Sequence, residues 1–182
     1  KLLPMTWPST RCLFWSTRRR AWTLFLDNAG GDAVPTVASY LPGALGCRGL
    51  RIVWSPHIRF REQRGEHGAT VLEVYEPDGE GGTKTTRAIS KVYESRWSYD
   101  IFGTPLPFER YSNAELRKRW CRELLIEYAQ QLGVDLNDPA FFGRSGIVYE
   151  EVADWVRGVR TQTLEQAQHG MRLHEVDFST LR

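Results

Sequence analysis

The chain has 182 residues, a hydrophobic fraction of 41%, an aromatic fraction of 12% and a net charge of +2. This is a globular composition, sufficient for one domain with a real core plus extensions. No apolar run approaches the roughly 20 residues of a membrane helix, so no membrane insertion is expected. Cys12, Cys47 and Cys121 are widely spaced, odd in number and form no CxxC pair. That argues against a disulfide framework or a zinc ribbon and fits a reducing compartment.

The charge is unevenly placed. Lys1, Arg11, Arg18, Arg19 and Arg20 precede the first acid, Asp27, and Trp7, Phe14, Trp15 and Trp22 interleave with them. A basic, aromatic-bearing arm on a nearly neutral body suggests contact with a polyanion; a solvated tail or a remnant of targeting sequence is the plainer alternative. The start at Lys1 and the Arg-rich, acid-poor flank are compatible with the mature end left by mitochondrial import.

In chain order, residues 1–20 contain Pro4 and Pro8 and little periodicity, and are expected to be an extended arm. Ala21 to Asp27 is short, apolar and aromatic, which predicts a buried strand. Asp32 can cap a helix that tolerates Pro35 in its first turn and runs to about Leu45, with Pro42 set to kink or end it. Ile58 and Phe60 alternate with Arg59 and Arg61, the period of a half-exposed strand. Val71 to Tyr75 reads as the next strand, Pro77-Asp78-Gly79 as a turn, and Thr-rich Lys84 to Ile89 as an edge strand. Arg96 to Pro107 reads as an aromatic, Pro-containing linker. Ser112 to Glu115 matches a capping box. The helix it opens would carry Leu116, Trp120, Leu124, Tyr128 and Leu132 on one stripe and end at Gly133. A second amphipathic segment carries Val148, Val152, Trp155, Val156 and Val159, and a third runs from about Leu164 to His169. These readings divide the chain into a basic arm (1–20), a β-α-β-β-β domain (21–95) and a linker with a helical extension (96–182).

The turn Asp27-Asn28-Ala29-Gly30-Gly31 is the first place to look for chemistry. A thiol-redox enzyme with this β-α start would carry its nucleophilic Cys at the helix N-terminus, where the helix dipole lowers its pKa; no thiol is present. GxxxxGK[ST] and GxGxxG are also absent, so a phosphate cradle is not expected. A glycine-rich corner permitting tight reversal is the favoured reading. His57, His67, His169 and His174 lack partners at metal-binding spacing. Glu73, Glu76 and Asp78 are isolated on a strand and turn rather than paired. Neither GxSxG nor HExxH occurs. No catalytic, cofactor or metal site is expected. The cluster Arg59, Arg61 and Arg64 differs: residues 59 and 61 share one strand face, and with the arm they make a phosphate-binding surface. An ordinary solvated face countered by Glu62 and Glu66 is its alternative.

These residues carry a resemblance. Thr23, Leu24, Asn28, Gly30 and Gly31 of "TLFLDNAGG" match a pattern in which a strand ends in Asn followed by two glycines. Pro56, Ile58, Phe60, His67, Tyr75 and Gly79 match a Pro-x-Val/Ile strand, a Gly-His-Pro loop and a Glu-Tyr-x-Asn-Gly hairpin. Together they resemble the mitochondrial thioredoxin-like family, which contains mitoribosomal proteins of both subunits and a small accessory subunit of respiratory complex I. The likeness covers about residues 21 to 90. It departs at Asp27, where the family often has Cys, and at Gly68 or Ala69, where the loop has Pro. It implies an α/β, thioredoxin-like β-α-β-β-β core used as a scaffold without catalysis, followed here by a C-terminal helical extension. It also implies a mitochondrial matrix location and a structural role in the ribonucleoprotein of mitochondrial translation, the large subunit favoured. The expected partners are mitochondrial rRNA and neighbouring mitoribosomal proteins, with no small-molecule substrate and no cofactor. Arg11, Arg18, Arg19, Arg20, Arg59, Arg61 and Arg64 are the expected rRNA contacts. The rivals are a complex I accessory subunit and a divergent thioredoxin-like redox enzyme.

Overall fold

The computed structural model describes residues 2, 5–7, 10–18, 21–29, 35–57, 68–109 and 112–166. It is a mixed α/β chain with antiparallel sheets. By its contacts it divides into two compact units, one formed by Lys1–Val34 with Leu136–Arg182, the other by Pro35–Asp135.

In the first unit, β1 (Met5–Trp7) pairs with β9 (Arg160–Gln162), and β2 (Arg11–Thr17) lies between β3 (Thr23–Asp27) and β8 (Phe142–Glu150). The segment read as an extended arm therefore supplies two strands. Its partners β8 and β9 lie more than a hundred residues away, so no local alternation announces the pairing. The β2 sequence is apolar on both parities: Leu13 faces Leu26 and Val148 across the sheet, and Phe14 faces Phe25 and Ile147. Both faces thus carry apolar rows, and the expected burial of β3 is not met, since Thr23 and Leu26 are exposed.

The valine pattern expected to form an amphipathic segment after residue 148 is also resolved differently. Ile147 and Val148 are β-branched residues paired to β2, and a 3-10 turn at Asp154–Gly158 leads into β9. β propensity and a distant partner outweigh the helical spacing. Of the third segment, residues 164–166 form a helical turn and 167–169 lie outside the described residues.

The second unit is built on a four-stranded antiparallel meander: β4 (Gly49–Ser55), β5 (Ala69–Pro77), β6 (Thr83–Tyr93) and β7 (Trp97–Gly103). Two expectations are corrected here. β6 pairs on both sides and is no edge strand, and the supposed linker at 96–107 contributes β7. The aromatic residues of Trp97-Ser-Tyr-Asp-Ile-Phe are β formers, and Ile101 fills the core row. The strand expected at Ile58 and Phe60 lies outside the described residues.

Ile52, Leu72, Ile89 and Ile101 stand opposite one another in a row across all four strands. Helices α2 (Asn113–Arg119) and α3 (Arg122–Gln131) cover that row with Leu116, Trp120, Leu124, Leu125 and Tyr128. Each such buried side chain contributes about 1.5–3 kcal/mol. The helical stripe is as expected, but the helix is interrupted. Trp120 and Cys121 have extended backbone, Ser112 caps α2 by accepting from Glu115 N at 3.4 Å, and Cys121 occupies the cap position of α3. Trp120 is fully buried and its Nε1 donates to the Thr70 carbonyl at 2.8 Å. Seating that large ring on the sheet overrides the periodicity.

Helix α1 (Pro35–Leu45) packs on the opposite face of the sheet, and Pro42 sits inside its last turn with its ring buried against Gly49. Gly43 N donates to Thr83 Oγ1 at 2.7 Å, and a Cβ on Gly43 would come within 2.4 Å of the Gly82 carbonyl carbon. Only glycine permits this helix to rest on the β5–β6 turn.

The elements from β3 to β6 run β-α-β-β-β, but the second strand is Gly49–Ser55, where no strand was expected, and the one expected at Ile58 and Phe60 lies outside the described residues. β3 and β4, however, belong to separate sheets, each antiparallel to its neighbour. A β-α-β crossover unit would set them parallel in one sheet.

Candidate nucleic-acid interface

Asn28, the centre of the turn singled out in the sequence, is 2% exposed. Its Oδ1 accepts from Thr10 N at 2.9 Å and Arg11 N at 2.8 Å, and its Nδ2 donates to Thr10 Oγ1 at 3.2 Å. Its backbone joins in too, accepting from Thr6 N at 2.8 Å and donating to the Arg11 carbonyl at 3.1 Å. Asp27 Oδ1 accepts from Ala29 N at 2.8 Å, an Asx turn. Asn28 is thus a structural clasp for the backbone around β1 and β2; Gly30 and Gly31 lie outside the described residues. Asn28→Ala is expected to remove the acceptor of one buried and one partly buried N–H group, those of Thr10 and Arg11, and to cost about 2–4 kcal/mol. A urea-midpoint change within the roughly 0.5 kcal/mol of an ordinary surface substitution would refute the clasp.

Of the expected rRNA contacts, Arg11 and Arg18 are described. Arg11 is engaged by Glu150, with Nε at 2.9 Å and Nη2 at 2.7 Å from Oε1, so its fork faces a carboxylate across the β2–β8 pair. Arg18 is exposed at the β2–β3 turn, held by its N–H to the Phe141 carbonyl at 2.9 Å. Arg19, Arg20, Arg59, Arg61 and Arg64 lie outside the described residues.

The acids on β5 and its turn have structural occupations. Glu73 Oε2 accepts from Arg51 Nη1 at 2.8 Å and from Tyr75 Oη at 2.5 Å. Glu76 pairs with Arg48 at 2.7 Å, and Asp78 Oδ1 caps Glu80 N and Gly82 N at 2.8 Å each. Among the described residues no group of three or more His, Cys, Asp or Glu could hold a metal. Cys12, Cys47 and Cys121 form no disulfide with one another. Burial pushes the Cys121 thiol above its usual range, with a hydrogen bond to Glu123 adding to the effect. That keeps it protonated and weakly nucleophilic near neutrality.

Sequence reading assigned no contact beyond residue 64, yet the structure gathers cations and aromatic rings at one end of the second unit. Trp54 is 39% exposed with the Arg122 guanidinium 5.3 Å from its ring centre, and Trp97 is 40% exposed with Lys91 Nζ at 5.0 Å. His57 lies 4.2 Å from the Tyr93 ring and 5.0 Å from the Trp97 ring, centre to centre. Arg117, Lys118 and Arg119 form the last turn of α2. The run Arg117-Lys118-Arg119-Trp120-Cys121-Arg122 was a readable signal; the apolar stripe through it drew attention to packing instead.

The same unit buries a charge pair that the sequence did not reveal. Arg87 Nε donates to Glu109 Oε1 at 2.8 Å and Nη2 to Oε2 at 2.5 Å, while Nη1 reaches the Phe102 and Gly103 carbonyls at 3.3 and 3.0 Å. Nearby, the Tyr99 hydroxyl is buried without a hydrogen-bond partner among the described residues. Burial raises its pKa to about 12, with Arg87 opposing and Glu109 adding to the shift. The folded state therefore holds this proton where the unfolded phenol, near 10, has lost it, so stability falls as pH climbs from about 10 towards 12. Tyr99→Phe is expected to leave neutral-pH stability unchanged or slightly raised and to remove this alkaline component. A clear loss of stability at pH 7 would reveal a hydroxyl partner.

Comparison with protein families, curated proteins and solved structures finds no match to this chain.

Proposed function

We propose that this chain is a structural component of the mitochondrial ribosome, in its large subunit, that holds rRNA and neighbouring proteins and performs no catalysis. The N-terminal stretch carries the reading: five cations and five aromatic residues precede the first acid, and Arg18 stands exposed at the β2–β3 turn. Neutralising phosphates with such residues releases condensed counterions, which favours binding without base specificity. The resemblance of residues 21–90 to the mitochondrial thioredoxin-like family supports the same assignment and the matrix location. Its finer implication, a thioredoxin-like core, would be represented by α1 and the β4–β5–β6 meander. Exposed Ile147, Tyr149, Val152 and Trp155 in the first unit offer apolar surface for protein neighbours.

The test is sedimentation of tagged full-length chain from mitochondrial lysate. Co-migration with large-subunit particles is expected, reduced by Arg18→Ala/Arg19→Ala/Arg20→Ala. Migration with complex I, or with neither particle, would sink the reading.

A further inference from the structure

We infer that one end of the second unit is a binding surface for unpaired RNA nucleotides, built around Trp54 and Trp97; the choice of RNA as the nucleic acid rests on the ribosomal reading. The sheet register sets the location. Trp54, Thr70, Lys91 and Tyr99 form one cross-strand row, and Tyr93 pairs with Trp97 two residues further towards the same end. The Trp120–Thr70 hydrogen bond pins the α2–α3 corner over that row, which brings the 117–122 cations to the same end.

His57 and Gly68 lie there as well. Tyr93 N donates to the Gly68 carbonyl at 2.7 Å, and a Cβ on Gly68 would meet both His57 Cβ and Trp97 Cη2 at 3.0 Å.

Charge and shape together select the ligand. Lys91, Arg96, Arg117, Lys118, Arg119 and Arg122 face three carboxylates, Glu94, Glu115 and Glu123, in the same stretches. An acidic peptide would satisfy the cations but leave both indole rings unused. A single strand uses both, stacking bases on the rings while its phosphates meet the cations. Arg122 over Trp54 extends the stacking surface with a planar guanidinium.

The test is fluorescence anisotropy of the full chain with a labelled oligouridylate of about 12 nucleotides, a length within single-strand site sizes. Trp54→Ala and Trp97→Ala should each weaken binding about tenfold, as loss of one stacked base does. Trp97→Phe should retain most of the affinity. Arg117→Ala/Lys118→Ala/Arg122→Ala should lower the log–log salt slope by about two units, near 0.7 per phosphate contact on a single strand. Circular dichroism checks folding, which substitution of the partly exposed rings should spare. Binding of the folded double tryptophan variant within about twofold of wild type overturns the inference, because a stacked base is worth far more. Competition by polyglutamate equal to that by RNA also overturns it. So does affinity lost only in Arg18→Ala/Arg19→Ala/Arg20→Ala, an outcome that leaves the ribosomal reading standing. Tryptophan-dependent RNA binding by a chain that never sediments with ribosomal particles would sink that reading and uphold this one.

Discussion

Trp120→Ala is expected to destabilise the unit formed by residues 35–135 by about 3–5 kcal/mol, the range for truncating a large aromatic in a close-packed core. Trp120 has no exposed surface, and its ring lies 5.5 Å from that of Tyr128, centre to centre. Its Nε1 hydrogen bond to Thr70 fixes the break between α2 and α3 on the sheet. Alanine removes the ring and the tether together. Leu116, Leu124 and Leu125 cannot collapse into the vacated volume without moving a helix. Trp120→Phe loses the tether and part of the ring system but keeps much of the volume, so it should cost less. Urea denaturation followed by near-ultraviolet circular dichroism measures both. Equal costs for the two variants would show that the hydrogen bond, not the filled volume, carries the stabilisation. The variant has a functional consequence as well: without the pin, Arg122 is no longer held over Trp54, and oligonucleotide affinity should fall even at temperatures where the unit remains folded.

Glu109→Ala should cost a similar amount, about 3–5 kcal/mol, for a different reason. The Arg87 and Glu109 side chains are 2% and 4% exposed. Removing the carboxylate leaves a buried guanidinium with the Phe102 and Gly103 carbonyls as its remaining acceptors among the described residues, and frees Leu106 N, from which Glu109 Oε1 accepts at 2.9 Å. Replacing both partners by apolar residues, Arg87→Met/Glu109→Leu, removes the charge and the need for it together, and should recover most of the loss. The contrast is the test. If the double variant is as unstable as Glu109→Ala, the pair holds the turn after β7 by its hydrogen bonds, and charge burial is a minor term.

Much of the second unit could be read locally. The run Val71 to Tyr75 marked β5, Ser112 and Glu115 marked the start of α2, and the spacing of Leu116, Trp120, Leu124 and Tyr128 identified the stripe that covers the sheet. These signals survive because each depends on neighbours within a few residues. β7 was missed because its aromatic residues and the following Pro105 and Pro107 look like a linker until β6 is there to pair with. The charge pair was missed because Arg87 and Glu109 lie on different elements, and nothing near either residue announces the other.

By itself the sequence determined the mixed α/β class, the composition of the core stripe, the concentration of cations and aromatic residues near the N-terminus, and the want of a thiol at the Asp27–Gly31 turn. Tertiary structure decided the rest. It took Met5–Trp7 and Arg11–Thr17 out of an arm and into strands, because they find backbone partners among residues 142–162. It made Asn28 a clasp by closing the chain around its amide. It brought Trp54, Lys91, Trp97 and Arg122 to one end of a sheet, where antiparallel register, which no local pattern encodes, sets Trp54, Thr70, Lys91 and Tyr99 in one row across four strands.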